Sequence, residues 1–229
     1  LLALPVQYAD FAYWQRRWMR GAVPGRELEY WRAKLAGAPP ALELPADHPE
    51  PAQPSSGGAR RSVRVSQAVA GAMAELGQHE GNTPFMVLMS ALAITLHHWT
   101  AQSDLVIGNV AAGRNRREVE HLIGSFMNFL PIRIQVEANE TAQELLGRVR
   151  GAVLEAQTHQ DCPFERIVEA LNPKRGLRRN PLYNVALLLQ NFPAEPFHAR
   201  DLQVAPMAVS LETALLDLRF EAEQAGSEL

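Results

Sequence analysis

Residues 83–100, TPFMVLMSALAITLHHWT, constrain the fold of this chain more than any other stretch. Thr83 is suited to cap a helix, and Pro84 falls where the first helical turn needs no N–H. The run that follows is apolar on nearly every side, and a helix without a polar face has to be covered from more than one direction. It therefore predicts a central, sandwiched helix. The apolar part, Phe85 to Leu96, is too short to span a bilayer and is interrupted by Ser90 and Thr95. Directly after it, DLVIGNV reads as a buried strand, so a helix layer must lie on a sheet.

The neighbouring segments fit that plan. NFLPIRIQV is a second strand, with Ile132, Ile134 and Val136 alternating with Arg133 and Gln135. LYNVALLLQ reads as a fully buried strand, LLDLRFEAE as a later one, and a further strand is expected at Arg61 to Val65. Ser66 can cap a helix whose apolar positions Val69, Met73 and Leu76 follow one face. Thr141 with Glu144 forms a capping box for a long amphipathic helix through Leu145, Val149 and Val153, and PFERIVEAL starts another at Pro163. Residues 9–35 carry Trp14, Trp18, Trp31 and Leu35 among Arg and Glu, as two short amphipathic helices broken near GAVPG. The stretch from Ala36 to Ala59, rich in Pro, Gly, Ala and Ser, is an extended connector. The expected fold is a layered α/β sandwich with a mixed β-sheet and packed helices. Residues 1–60 form its aromatic-helix and connector entry and residues 61–229 its core.

At 229 residues, such a domain can bury about 70% of its unfolded surface. A net charge of -3 and a pI near 6.2 provide no global basic field, so neither nucleic acid nor a membrane is an expected partner. The single cysteine, Cys162, excludes an intramolecular disulfide and a multi-Cys zinc site, and suits a reducing cytoplasm. LLALPVQYAD has neither a starting Met nor a signal-peptide pattern, and LLDLRFEAEQAGSEL stops in strand-like alternation. The chain is expected to begin mid-protein and to lack some of its final elements.

Five stretches invite a catalytic or binding reading. His97 and His98 are adjacent on a helix, so they point about 100° apart and do not chelate one metal as an i, i+4 pair would. They read as helix-terminal histidines near the helix's negative end, where a cation is mildly favoured. GNVAAGRN at 108–115 has glycines at phosphate-loop spacing, but Arg114 and Asn115 replace the required Lys and Ser or Thr, so a strand-end turn is expected. In HQDCPFE, His159, Asp161 and Cys162 are too close in sequence to converge, and Asp161 reads better as a cap for the Pro163 helix. GRNRRE at 113–118 and KRGLRRN at 174–180 are basic loops, solvated by default and otherwise suited to anions. The residues alone thus yield an α/β domain with no catalytic constellation and no metal site.

Four stretches, in order, resemble the condensation domains of nonribosomal peptide synthetases. YADFAYWQ at 8–15 resembles Y-x-D-Y-A-x-W-Q, with Phe11 for Tyr. IGSFMNFLPIR at 123–133 resembles I-G-x-F-V-N-T-x-x-x-R, with Met127 for Val and Phe129 for Thr. HQDCPFE at 159–165 matches H-Q-D-x-P-F-E throughout, with Cys162 at the variable position. RGLRRNPL at 175–182 is similar to R-D-x-S-R-N-P-L, with Gly176 for Asp and Arg178 for Ser. YWRAKLAG and DLVIGNVAAGR are also family-like.

The resemblance implies half of a chloramphenicol-acetyltransferase-like (CoA-dependent acyltransferase) fold, in which two subdomains flank a tunnel that admits phosphopantetheine arms from carrier proteins. The family's H-H-x-x-x-D-G motif belongs to the first subdomain, upstream of Tyr8, and Gln102 and Ser103 bar His97-His98 from standing in for it. The chain would be the second subdomain, with no catalytic residue of its own and inactive alone. It would work in the cytoplasm with the N-terminal subdomain, carrier proteins, a neighbouring adenylation domain and, in relatives that recruit rather than catalyse, a tailoring enzyme. Asn128, Arg133, Arg179 and Asn180 are the expected tunnel positions; Tyr8, Asp10, Trp14, Gly124, Phe126, His159, Asp161, Pro163 and Phe164 are expected to hold the motifs in shape. No covalently bound cofactor is implied.

Overall fold

A computed structural model of the chain describes residues 4–21, 23–48, 57–171, 180–190, 207, 209 and 212–223. Six α-helices and four strands follow in the order α1 (Tyr8–Trp18), α2 (Val23–Leu35), α3 (Gln67–Glu80), α4 (Pro84–Thr100), β1 (Asp104–Ala111), β2 (Asn128–Gln135), α5 (Ala142–Thr158), α6 (Phe164–Leu171), β3 (Val185–Gln190) and β4 (Leu218–Glu223) among the described residues. A short 3-10 turn covers Arg117–Val119.

The strands form one mixed sheet in the order β2-β1-β3-β4. β1 runs antiparallel to β2, from Asp104 opposite Gln135 to Ala111 opposite Asn128, and parallel to β3, which is parallel to β4. Pro131 has no N–H to give a ladder, and it is tolerated because β2 is the edge strand.

The apolar run of residues 85–96 is the central helix its composition predicts. In α4, Met86, Val87, Met89, Ser90, Leu92, Ala93 and Leu96 are buried, with α3 and α5 on its flanks and β3 beneath it. Thr83 Oγ1 accepts the N–H of Met86, and Ala101 closes the helix in the left-handed conformation. Trp31, Leu35 and Leu42, from the entry segment, lie in the same hydrophobic cluster as Met89, Ile107, Ile134, Val149 and Ile167.

Two expectations need correction. Arg61 to Val65 carry no strand, and Val63 is 87% exposed. Alternation makes a strand only where another strand offers its edge, and β1 to β4 pair without this segment. In α3, Ser66 caps as expected, but the inward face is Gly77 with half-buried Ala70 and Met73, leaving Val69 and Leu76 exposed. The reason is close approach: a Cβ on Gly77 would lie 2.8 Å from the carbonyl oxygen of Asn82 and 3.3 Å from Val87. The smallest residue marks the contact, and the larger apolar ones stay outside.

Candidate functional site

Three of the four motif stretches meet at a cleft of about 190 Å³. Phe11, Trp14, Gln15 and Trp18 of α1 form one wall, the loop through Gly113, Asn115 and Arg116 another, and residues 125–129 with Gln160, Asp161, Pro163 and Glu165 the floor.

The α1 wall is built on a small aromatic cluster apart from the main core. Tyr8 stands edge-on to Phe126, with ring centres 5.2 Å apart, and donates its hydroxyl to the carbonyl of Ser125 at 2.9 Å. A Cβ at Gly124 would strike the Tyr8 ring, so the glycine is what lets α1 settle there. Asp10 accepts the Gln7 N–H at 2.8 Å and completes the cap of α1. Phe11 packs on Phe126, while Trp14 stacks on Trp18 and carries the Arg116 guanidinium 4.4 Å above its ring.

Arg114 holds the second wall. Its guanidinium lies over the Phe126 ring and donates to the carbonyls of Val119, Glu120 and Leu122 at 2.6, 3.1 and 2.8 Å. Gly113 has φ +66°, and a Cβ there would collide with the Phe126 carbonyl. At the other glycine of the phosphate-loop-like stretch, Gly108, a Cβ would run into the Tyr183 ring. Both glycines serve close backbone approach, as a strand-end turn requires.

Asn128 joins the floor to α6. Its Nδ2 donates to the carbonyls of Gln160 and Cys162, each at 2.7 Å, and its Oδ1 accepts the Phe164 N–H at 3.0 Å. Asn128, not Asp161, therefore accepts an N–H of the exposed first turn of α6, and the Asp161 carboxylate instead accepts from Asn115 at 2.8 Å. Pro163 lines the cleft, and Phe164 packs edge-on between Phe129 and Tyr183.

His159 faces away from this floor, towards α2. Its Nδ1 meets Glu27 at 2.6 Å, its ring stacks on Tyr30 at 3.7 Å, and its carbonyl accepts from the Trp31 indole. Burial, with the nearby Glu155 carboxylate, pushes the Tyr30 hydroxyl well above the usual tyrosine range. The Cys162 thiol is buried and pushed up to about 11, chiefly by desolvation, which keeps it a neutral thiol.

Arg133 lies outside the cleft. It forks onto Asp104 at 2.9 and 2.6 Å and donates to the carbonyls of Lys34 and Ala36, so it fastens the end of α2 to the sheet. The Asp104 hydrogen bonds hold its guanidinium above the ordinary arginine range. Asn180 accepts the N–H groups of Leu182 and Tyr183 in a turn leading into β3. Arg179 lies outside the described residues. His97 and His98 occupy the last turn of α4, where His97 Nδ1 contacts the Gln102 carbonyl at 2.9 Å.

Sequence reasoning missed Asn184. Buried at 4% exposure, it accepts the Leu42 N–H, donates to the Leu42 carbonyl and to Asp217, and so ties the entry segment to both β3 and the approach to β4. Only its position inside an apolar strand, YNVALLLQ, hinted at such a role.

A family model for the condensation domain matches residues 1–229. The chain belongs to the condensation domain family. Malpinin synthetase of Mortierella alpina is 42% identical over 218 residues, covering 95% of this chain and 3% of that protein. The chain thus spans a small fraction of such synthetases. Among solved structures, the X-domain from teicoplanin biosynthesis superposes with a TM-score of 0.89 at 29% identity, covering 98% of this chain and 52% of that one. The same X-domain in complex with OxyB gives 0.88 at 31% identity, covering 98% and 50%. The condensation fold accounts for the mixed sheet and packed helices. No helix among the described residues of this condensation-family chain is long and apolar enough to cross a membrane.

Proposed function

We propose that this chain is the second subdomain of a condensation domain that forms amide bonds between carrier-bound aminoacyl and peptidyl thioesters, and that it is inactive alone. In that reaction the acceptor amine attacks the donor thioester carbonyl. The new C–N bond forms, the C–S bond breaks, and the proton lost by the amine balances the departing thiolate. Such chemistry needs positioning and control of one proton more than it needs a nucleophile on the protein.

One observation carries this reading: the motif stretch at 8–15 meets those at 123–133 and 159–165, both distant from it in sequence, around a single cleft held by Asn128, Arg114 and the Tyr8–Phe126 contact. The chain supplies one tunnel wall. Asn128, Arg133, Arg179 and Asn180 are the tunnel positions this reading assigns, and the hydrogen bonds of Asn128, Arg133 and Asn180 to backbone suit residues that fix its shape. The phosphopantetheine arm enters as part of the substrate, brought by carrier proteins in the cytoplasm next to an adenylation domain.

Complementation tests it. The chain joined to its upstream subdomain is expected to couple two loaded carrier proteins, and the chain alone is expected to release nothing. A second reading, recruitment of a tailoring enzyme by a non-catalytic domain, is favoured by the likeness to an X-domain solved with OxyB. An upstream H-H-x-x-x-D-G supports condensation; a degraded one, with binding of an oxygenase, supports recruitment.

A further inference from the structure

One face of α2 is given over to the end of α5. Glu27, Tyr30, Trp31 and Lys34 stand at i, i+3, i+4 and i+7, so they share a side of the helix. Three of them hold His159: Glu27 meets its Nδ1 at 2.6 Å, the Tyr30 ring stacks on it with 14° between the planes, and the Trp31 indole donates to its carbonyl at 3.1 Å. Lys34 and Tyr30 also reach Glu155, one turn earlier, at 2.7 and 3.4 Å. A carboxylate can only accept, so Nδ1 carries the shared hydrogen and the orientation of the ring is fixed.

The residues directly after His159 are the cleft floor. The carbonyls of Gln160 and Cys162 accept from Asn128, and the Asp161 carboxylate accepts from Asn115. Gln160, Asp161 and Pro163 line the cleft, whereas His159 does not. This short stretch is therefore held by α2 at one end and by β2 and the Asn115 loop along the rest. Packing alone does not call for such a grip. Trp31, at 1% exposure, already buries the seam, while the Glu27 and His159 side chains, 18% and 25% exposed, give up much of their hydration to meet. An apolar pair of similar volume would join the helices as well; a hydrogen-bonded pair adds a fixed direction. We propose that His159 is a positioning residue: α2 grips its ring, and the grip sets where the carbonyls of Gln160 and Cys162 and the Asp161 carboxylate stand in the cleft. This rests on the reading of the cleft as part of a condensation tunnel wall. His159 touches no reacting atom and acts through the floor, where a displacement of about 1 Å is enough to cost up to about a hundredfold in rate.

The test uses the two-subdomain protein with loaded donor and acceptor carriers. His159→Phe keeps a ring for Tyr30 and removes the hydrogen bond; His159→Asn gives up the ring and places an amide N–H close to where Nδ1 stood. His159→Phe is expected to lower kcat about tenfold while KM for the acceptor carrier stays within about twofold, and His159→Asn to recover most of that loss. Glu27→Leu is expected to match His159→Phe, and the double variant to fall no further. Hydrogen exchange read by mass spectrometry on the same proteins is expected to quicken at residues 160–164 in His159→Phe. If His159→Phe does not fold, the Glu27 variants decide: Glu27→Gln, which still accepts, is expected near wild type and Glu27→Leu low. A folded His159→Phe with wild-type kcat, additive losses in the double variant, or a loss that vanishes after correction for the unfolded fraction overturns the positioning role. No turnover by the folded wild-type protein overturns the condensation reading instead, and exchange at residues 160–164 then decides the grip by itself, with unchanged exchange in His159→Phe overturning it.

Discussion

Asn128 is saturated: both amide hydrogens and its carbonyl oxygen are used on backbone groups of residues 160–164. Replacing it by Ala leaves two carbonyls and an N–H without partners in a partly buried place, at a cost of about 2 kcal/mol. A lowered urea midpoint with an unchanged slope is expected. Cys162 gives a second prediction. Its folded pKa of about 11 lies above the ordinary 9.0, so the folded state keeps a proton that the unfolded chain releases. Stability linked to the thiol is complete below pH 9.0 and is lost as pH rises towards 11. Ellman's reagent is expected to label Cys162 slowly in the folded protein and rapidly in urea. Fast labelling of the folded protein contradicts its burial.

At the scale of elements, the helix caps were readable because their partners are three residues apart. Thr141 Oγ1 accepts the Glu144 N–H and Glu144 accepts the Thr141 N–H at 2.7 Å, as the T-x-x-E pattern predicts. Thr141→Ala is expected to cost about 1 kcal/mol, measured by thermal unfolding. The Thr141 N–H holds the Glu144 carboxyl below the usual carboxylate range. Its contribution is therefore present above that range and lost as pH falls through the depressed value. The difference in Tm between wild type and Glu144→Gln should shrink on acidification; a difference that grows would contradict the cap. β1 was equally legible from DLVIGNV, and β2 from Ile132, Ile134 and Val136. The fork of Arg133 onto Asp104 and α2 was not, since its partners lie 29 and about 100 residues away. The inward face of α3 was misread because Gly77 leaves no mark in an apolar pattern.

In the whole molecule, the family motifs spoke for a site that periodicity could not assemble. Tyr8, Phe126 and Asp161 are far apart in sequence and each has a local explanation; only folding brings their stretches around one cleft. The exposed Ile123, Met127 and Phe129 beside that cleft suit a surface that continues onto another subdomain. The most direct measurement is intact-protein mass spectrometry of an acceptor carrier after mixing with a loaded donor carrier. With the upstream subdomain joined to this chain, the account predicts that the acceptor gains the mass of the donor acyl group, and that it gains nothing with this chain alone. A folded, carrier-binding assembly that leaves the acceptor mass unchanged would contradict it.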